Sequence, residues 1–269
     1  MTSPGRASAL GTRVVSALVL VPPVLVAVYF GPPFSDLLFM AGGAVLAWEW
    51  ARLCGGRVLG LPGFATMAAV VAALAAGAVG LYAVAGWLVA AGAMSALVLA
   101  LRAENPRSGW YALGVVYAAV PCLALMWLRQ DPQVGLALTL WILTLVWATD
   151  TGAYFAGRRF GGPKLAPVIS PKKTWSGLLG GMAAAAVVGI AAAALREDWA
   201  PGALVAASTI LAVIAQGGDL LESSIKRHFG VKDTSDLIPG HGGLMDRVDG
   251  LLTVGIAVAS VVWLQGTFG

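Results

Sequence analysis

The chain has 269 residues, 59% of them hydrophobic and 11% charged, with a net charge of +4 and a mean hydropathy of +0.84. Ordinary soluble domains carry roughly 25% charged residues, so this composition excludes a water-soluble enzyme or a nucleic-acid-binding module and places the chain in a lipid bilayer. The only cysteines are Cys54 and Cys122, which rules out a disulfide framework or a cysteine metal site.

A bilayer core about 30 Å thick needs roughly 20 apolar residues per helical crossing. Apolar runs between polar or Gly/Pro punctuation predict spans at 14–30, 34–53, 62–80, 83–101, 110–128, 135–156, 177–195, 201–222 and 250–267. The first follows Arg6 and Arg13 like the core of a signal peptide. No small-residue cleavage pattern follows it, since the next residues are Tyr29-Phe30-Gly31-Pro32-Pro33, so it reads as a retained span. Between Leu61 and Leu101 no charge interrupts the run, which is divided only because it is too long for one crossing. Gly and Ala crowd the third, fourth and seventh spans, a composition that lets helix backbones approach closely in lipid. The expected fold class is all-α, a polytopic integral membrane protein of about nine transmembrane helices. Residues 1–130 supply about five of them, and 131–269 form a C-terminal transmembrane catalytic region with cytoplasmic loops 157–175 and 223–249.

With nine spans, one side receives the N-terminus and the connections after spans two, four, six and eight. That side holds 15 of the 17 Lys and Arg residues, leaving Arg129 and Arg196 for the other. The positive-inside rule then makes the rich side cytoplasmic. This is the placement expected of a multi-pass protein of the cell inner membrane with its site facing the cytoplasm.

The two long polar connections adjoin Asp150 in span six, Asp219 in span eight and Asp246 just before span nine. An acid inside a span costs about 2.5–3.5 kcal/mol on insertion scales, so such groups usually face a polar cavity and serve an ion, a proton or a substrate. Asp219, Glu222, Ser223 and Lys226 fall on one helical face, with Arg227 beside it, and Asp246 and Asp249 lie one turn apart. Asp219, Asp246 and Asp249 are thus the candidate metal ligands, because Mg²⁺ is commonly held by one or two carboxylates together with substrate phosphates. Between the two acidic faces lies Pro239-Gly240-His241-Gly242-Gly243. Its glycines read either as a tight turn or as backbone N–H groups offered to an anion. Nine of the 15 cytoplasmic cations crowd the two loops, and bases for phosphates beside acids for a metal imply a polyphosphate substrate. Asp36, by contrast, reads as a lone acid near a span end.

Ser223-x-Ile225-Lys226-Arg227, followed after four residues by Lys232-Asp233-x-Ser235-x-x-Ile238-Pro239-x-His241-Gly242-Gly243-Leu244-x-Asp246-Arg247-Val248-Asp249, resembles the full signature of the phosphatidate cytidylyltransferases, or CDP-diacylglycerol synthases. Asp150-Thr151-Gly152-Ala153-Tyr154 and Ser170-Pro171-Lys172-Lys173-Thr174-Trp175 resemble further stretches of that family. One departure is Ser176, where many members carry Glu. The resemblance covers the C-terminal half and implies an enzyme of bacterial phospholipid synthesis. It would condense CTP with phosphatidate, release pyrophosphate and depend on Mg²⁺, with a second cation and self-association left open. In that reading Asp219, Asp246, Asp249, Lys226 and Arg227 carry the chemistry. Lys172, Lys173, Ser170, Thr174, Lys232, His241, Gly242, Gly243, Arg247 and Asp150 line the substrates. A CTP-dependent lipid kinase would use similar acids and cations, but the unbroken signature opposes it. An ion-coupled transporter would place its acids near the midplane within paired repeats, and no repeat is visible.

Overall fold

A computed structural model describes residues 6–56, 58–196, 199–240 and 242–266, with side chains from Leu18 onward. Nine helices are found among the described residues: α1 (Arg6–Phe30), α2 (Phe34–Gly55), α3 (Leu61–Ala78), α4 (Tyr82–Arg102), α5 (Ser108–Gln130), α6 (Gly135–Phe160), α7 (Trp175–Leu195), α8 (Pro201–His228) and α9 (Met245–Leu264). Eight of them are long and apolar enough to cross a membrane, and Leu18–Phe30 adds a shorter apolar stretch. The undivided run from Leu61 to Leu101 breaks where the sequence could only place it by length. Gly80 supplies the break with a φ of +78°, a conformation that a Cβ would disfavour. The protein is an all-α polytopic membrane protein, as expected.

The chain folds into two compact units, Met1–Leu136 with Val231–Arg247, and Ala137–Gly230 with Val248–Gly269. The first unit therefore takes in most of a loop that the sequence grouped with the C-terminal region. Within it α2, α3, α4 and α5 pack on one another, and α1 packs on α2. Trp50 is fully buried there and donates from Nε1 to the Trp110 carbonyl at 2.7 Å. Arg129, 7% exposed, donates from Nε to the Val28 carbonyl at 2.6 Å and from Nη2 to the Tyr29 carbonyl at 3.1 Å. This cation on the poorer side of the charge division thus satisfies the last turn of α1, whose terminal carbonyls have no partner within the helix. Asp36 is not alone as expected. It is buried and accepts from Gln130 Nε2 at 3.2 Å, while Gln130 Oε1 accepts from Tyr82 at 2.6 Å.

In the second unit α7 packs on α8. The cytoplasmic-side loop expected at 157–175 contains a short antiparallel hairpin, β1 (Lys164–Ala166) with β2 (Ser170–Thr174), in which Lys164 faces Thr174 and Ala166 faces Ser170. The small residues of α7 serve packing, as their composition predicts. A Cβ on Gly152 of α6 would stand 2.6 Å from the Gly180 carbonyl oxygen and 2.7 Å from Ala184 Cβ, and one on Gly180 would collide with Ala156. Gly180→Leu should therefore lower the thermal midpoint of the purified protein in detergent, at a cost of about 1–3 kcal/mol typical of overpacking. Gly86→Leu, with nothing within 4 Å of its Cβ position, should leave it near wild type.

Candidate functional site

The second unit assembles a network of acids and lysines around α8. Asp219, Glu222 and Asp249 each offer a carboxylate oxygen, and the three atoms lie within 4.8 Å of one another. Two of them follow from helical spacing on α8, and Asp249 comes from the first turns of α9. Lys173, at the end of β2, places Nζ 2.6 Å from Asp219 Oδ2 and donates to Gln216 Oε1 at 3.1 Å. Lys226 places Nζ 2.7 Å from Glu222 Oε2, with Glu222 only 1% exposed. Ser223 donates to Asp219 Oδ1 at 3.3 Å, and Gln216 Nε2 lies 3.5 Å from Asp150 Oδ1, at the long limit of a hydrogen bond. Charges taken out of water need partners, and here each lysine sits on one acid. Asp249 adds a third carboxylate beside the two paired acids. All the converging donors are hard oxygens, the set that suits a Mg²⁺-like or Ca²⁺-like cation. Among the described residues, Asp219, Glu222 and Asp249 are thus grouped so that they could hold one.

Glu222 and Gln216 were not singled out as ligand and partner by sequence reasoning. Glu222 was read only as part of the α8 face, and its meeting with Asp249 was visible only in three dimensions. Lys173 and Lys226 are engaged by the acids. Lys172 and Arg227 are exposed, Ser170 is half-buried on β2, and Thr174 is buried with a structural task. The Thr174 hydroxyl accepts from Gly177 N at 3.1 Å and caps α7. Ser176, the departure from the usual Glu, donates to the Gly161 carbonyl and shares a 3.0 Å hydrogen bond with Thr174, so it ties the hairpin to the start of α7.

The first unit organises the other half of the signature. Asp246 turns Oδ2 back onto its own loop, where it accepts from Thr234 N at 3.0 Å, Thr234 Oγ1 at 3.0 Å and Gly243 N at 2.8 Å. The Gly243 N–H does meet an anion, as one reading of the glycines allowed, but that anion is a protein carboxylate. Ile238 N donates to the Gly242 carbonyl at 2.8 Å and closes a tight turn. Gly240 and Gly242 occupy it with φ of +75° and +81°. His241 lies outside the described residues. Lys232, Asp233, Asp236, Pro239, Gly240 and Arg247 border a hollow of about 320 Å³ on this loop, and Lys232 and Arg247 are both exposed.

Glu49, in the middle of an apolar stretch of α2, was missed. It is fully buried and accepts from Leu244 N at 2.9 Å and Met245 N at 2.8 Å, and also from the Ser235 hydroxyl. An acid within a span was the available signal, but nothing adjacent in sequence pointed to a partner nearly two hundred residues away.

A model of the cytidylyltransferase family matches residues 11–265. A protein of Brucella suis biovar 1 named phosphatidate cytidylyltransferase is 39% identical over 264 residues, covering 96% of this chain and 94% of its own. Proteins of the same name from Pseudomonas aeruginosa and Haemophilus influenzae are each 36% identical, over 275 and 269 residues. They cover 94% and 89% of this chain and 97% and 93% of their own.

Lys173 is the direct counter-ion of Asp219, so the two should be energetically coupled. Lys173→Met and Asp219→Asn should each lower stability to chemical denaturation in detergent micelles. The double variant should be less destabilised than the two effects added, by about 0.5–3 kcal/mol. Strict additivity would mean that the ion pair does not operate.

Proposed function

Because the chain belongs to the cytidylyltransferase family, we infer that it transfers the cytidylyl group of CTP to phosphatidate, giving CDP-diacylglycerol and pyrophosphate for phospholipid synthesis. The single observation that best supports a polyphosphate reaction is the acidic trio Asp219, Glu222 and Asp249 with its paired lysines. The excess of Lys and Arg in alternate connections supports a site facing the cytoplasm in the inner membrane.

In the reaction, a phosphate oxygen of phosphatidate forms a bond to the α-phosphorus of CTP while the bond from that phosphorus to the bridging oxygen of the β-phosphate breaks. Pyrophosphate carries away the electron pair. The attacking oxygen is already anionic, so no enzyme base has to create it. What opposes the step is charge, since both reactants are anions. A divalent cation, Mg²⁺ by donor chemistry, would screen the triphosphate and favour departure of pyrophosphate.

Asp219 and Asp249 would hold that cation with Glu222 beside them. Lys173 and Lys226 fix the acids in place, and the Lys226 pair keeps the nearly buried Glu222 compensated. Lys172 and Arg227 in the second unit, and Lys232 and Arg247 in the first, extend exposed cationic side chains of the kind that binds phosphate oxygens. Asp246, expected as a metal ligand, serves in this reading through the loop whose donors its Oδ2 gathers.

With purified protein, phosphatidate and Mg²⁺, CTP labelled at the α-phosphorus should pass its label into lipid, and CTP labelled at the γ-phosphorus should not. The reverse pattern would identify a lipid kinase. Asp219→Asn should lower turnover roughly a hundredfold to a thousandfold, the cost common for losing one preorganised electrostatic group at a reacting centre. Part of that loss should return at raised Mg²⁺ or with Mn²⁺.

A further inference from the structure

We propose that Glu49 is a positioning residue for the reaction: from within α2 it fixes the path of residues 235–245 and so sets the cationic rim of the signature loop for CTP. Three donors converge on its carboxylate. Ser235 and Leu244 N share Oε1, and Met245 N takes Oε2. Leu244 and Met245 supply amides at the very start of α9, where N–H groups have no acceptor inside the helix and a negative charge is favoured. Helix caps ordinarily come from the residue just before the helix. This one comes from another helix, 195 residues away in the chain.

The arrangement constrains more than the helix end. Asp246 binds the other side of the same segment through Thr234 and Gly243, so two carboxylates grip neighbouring amides of one short loop. Gly243 sits between them, where an added Cβ would collide with both Thr234 Oγ1 and Glu49 Oε1. That contact accounts for a glycine at a position whose φ does not require one. Lys232 and Arg247 flank the gripped segment and border the hollow on its surface. A glutamine at 49 cannot reproduce the grip. Its one oxygen can serve Leu244 N or Met245 N, and its amide group would then face the other N–H donor to donor.

The inference rests on the cytidylyltransferase reading above, and its test separates the two. Full-length Glu49→Gln in lipid nanodiscs should keep its helical content while amide exchange in residues 233–246 rises roughly 10- to 100-fold, the range for losing a hydrogen bond to a charged group. The KM for CTP should rise by a similar factor, with the KM for phosphatidate little changed. Gly243→Ala should give the same pattern, and the double variant should be no worse than either single one. Ser235→Ala, which removes one donor and leaves the core intact, should move both readouts the same way by less, and serves where Glu49→Gln fails to fold. Unchanged exchange in 233–246 would overturn the positioning role. So would raised exchange with an unchanged KM for CTP. Wild-type protein that makes no CDP-diacylglycerol would overturn the reading of function instead, while the exchange measurement still decides whether Glu49 holds the loop.

Discussion

A carboxylate or guanidinium placed among apolar helices loses its hydration, and removing one partner of a buried pair leaves a charge that costs several kcal/mol. Several charged groups among the described residues are arranged around that constraint. Glu49 is fully buried and is met by two helix-terminal amides and a hydroxyl. Glu222 is met by Lys226 and Asp219 by Lys173, while Arg129 is absorbed by the carbonyls that end α1. The same requirement that makes these groups expensive makes them directional, because each must reach a specific atom. The fold uses that direction to hold a loop and helix ends within the first unit, and an acidic cluster within the second.

Much of this was legible in the amino-acid order. Length and hydropathy gave the spans, because a helix that must satisfy its backbone internally in lipid leaves little freedom in how long an apolar run can be. The Asp219, Glu222 and Lys226 face followed from the 3.6-residue repeat, which is a local property. What escaped was contact between residues remote in the chain. Glu49 has no companion motif, and its partners Leu244 and Met245 contribute only backbone N–H groups, which carry no residue signature. Asp36 looked solitary for the same reason, since Gln130 lies 94 positions away. The hairpin at Lys164–Thr174 was hidden by its brevity and by the lysines that dominate its composition.

Several positions of the recognisable signature turn out to organise the signature itself. Thr174 caps α7, Asp246 gathers the amides of its own loop, and Gly243 is kept small by two oxygens. Lys172 and Arg227 are exposed in the second unit, and Lys232 and Arg247 in the first. Part of a motif that reads as a set of substrate contacts therefore serves to hold its own loop and helix start still, and a reaction between two anions depends on such positioning.

The central claim is that Asp219, Glu222 and Asp249 form a cation site that serves the triphosphate. Titration of purified protein with Mn²⁺, read by electron paramagnetic resonance without substrate or turnover, tests it directly. Wild type should bind the ion, and Asp249→Asn should weaken binding by at least the roughly 10- to 100-fold that loss of a mere outer-shell partner costs, with the protein still folded. Mn²⁺ affinity unchanged by Asp249→Asn and by Asp219→Asn would contradict the account and leave these acids as partners of Lys173 and Lys226 alone.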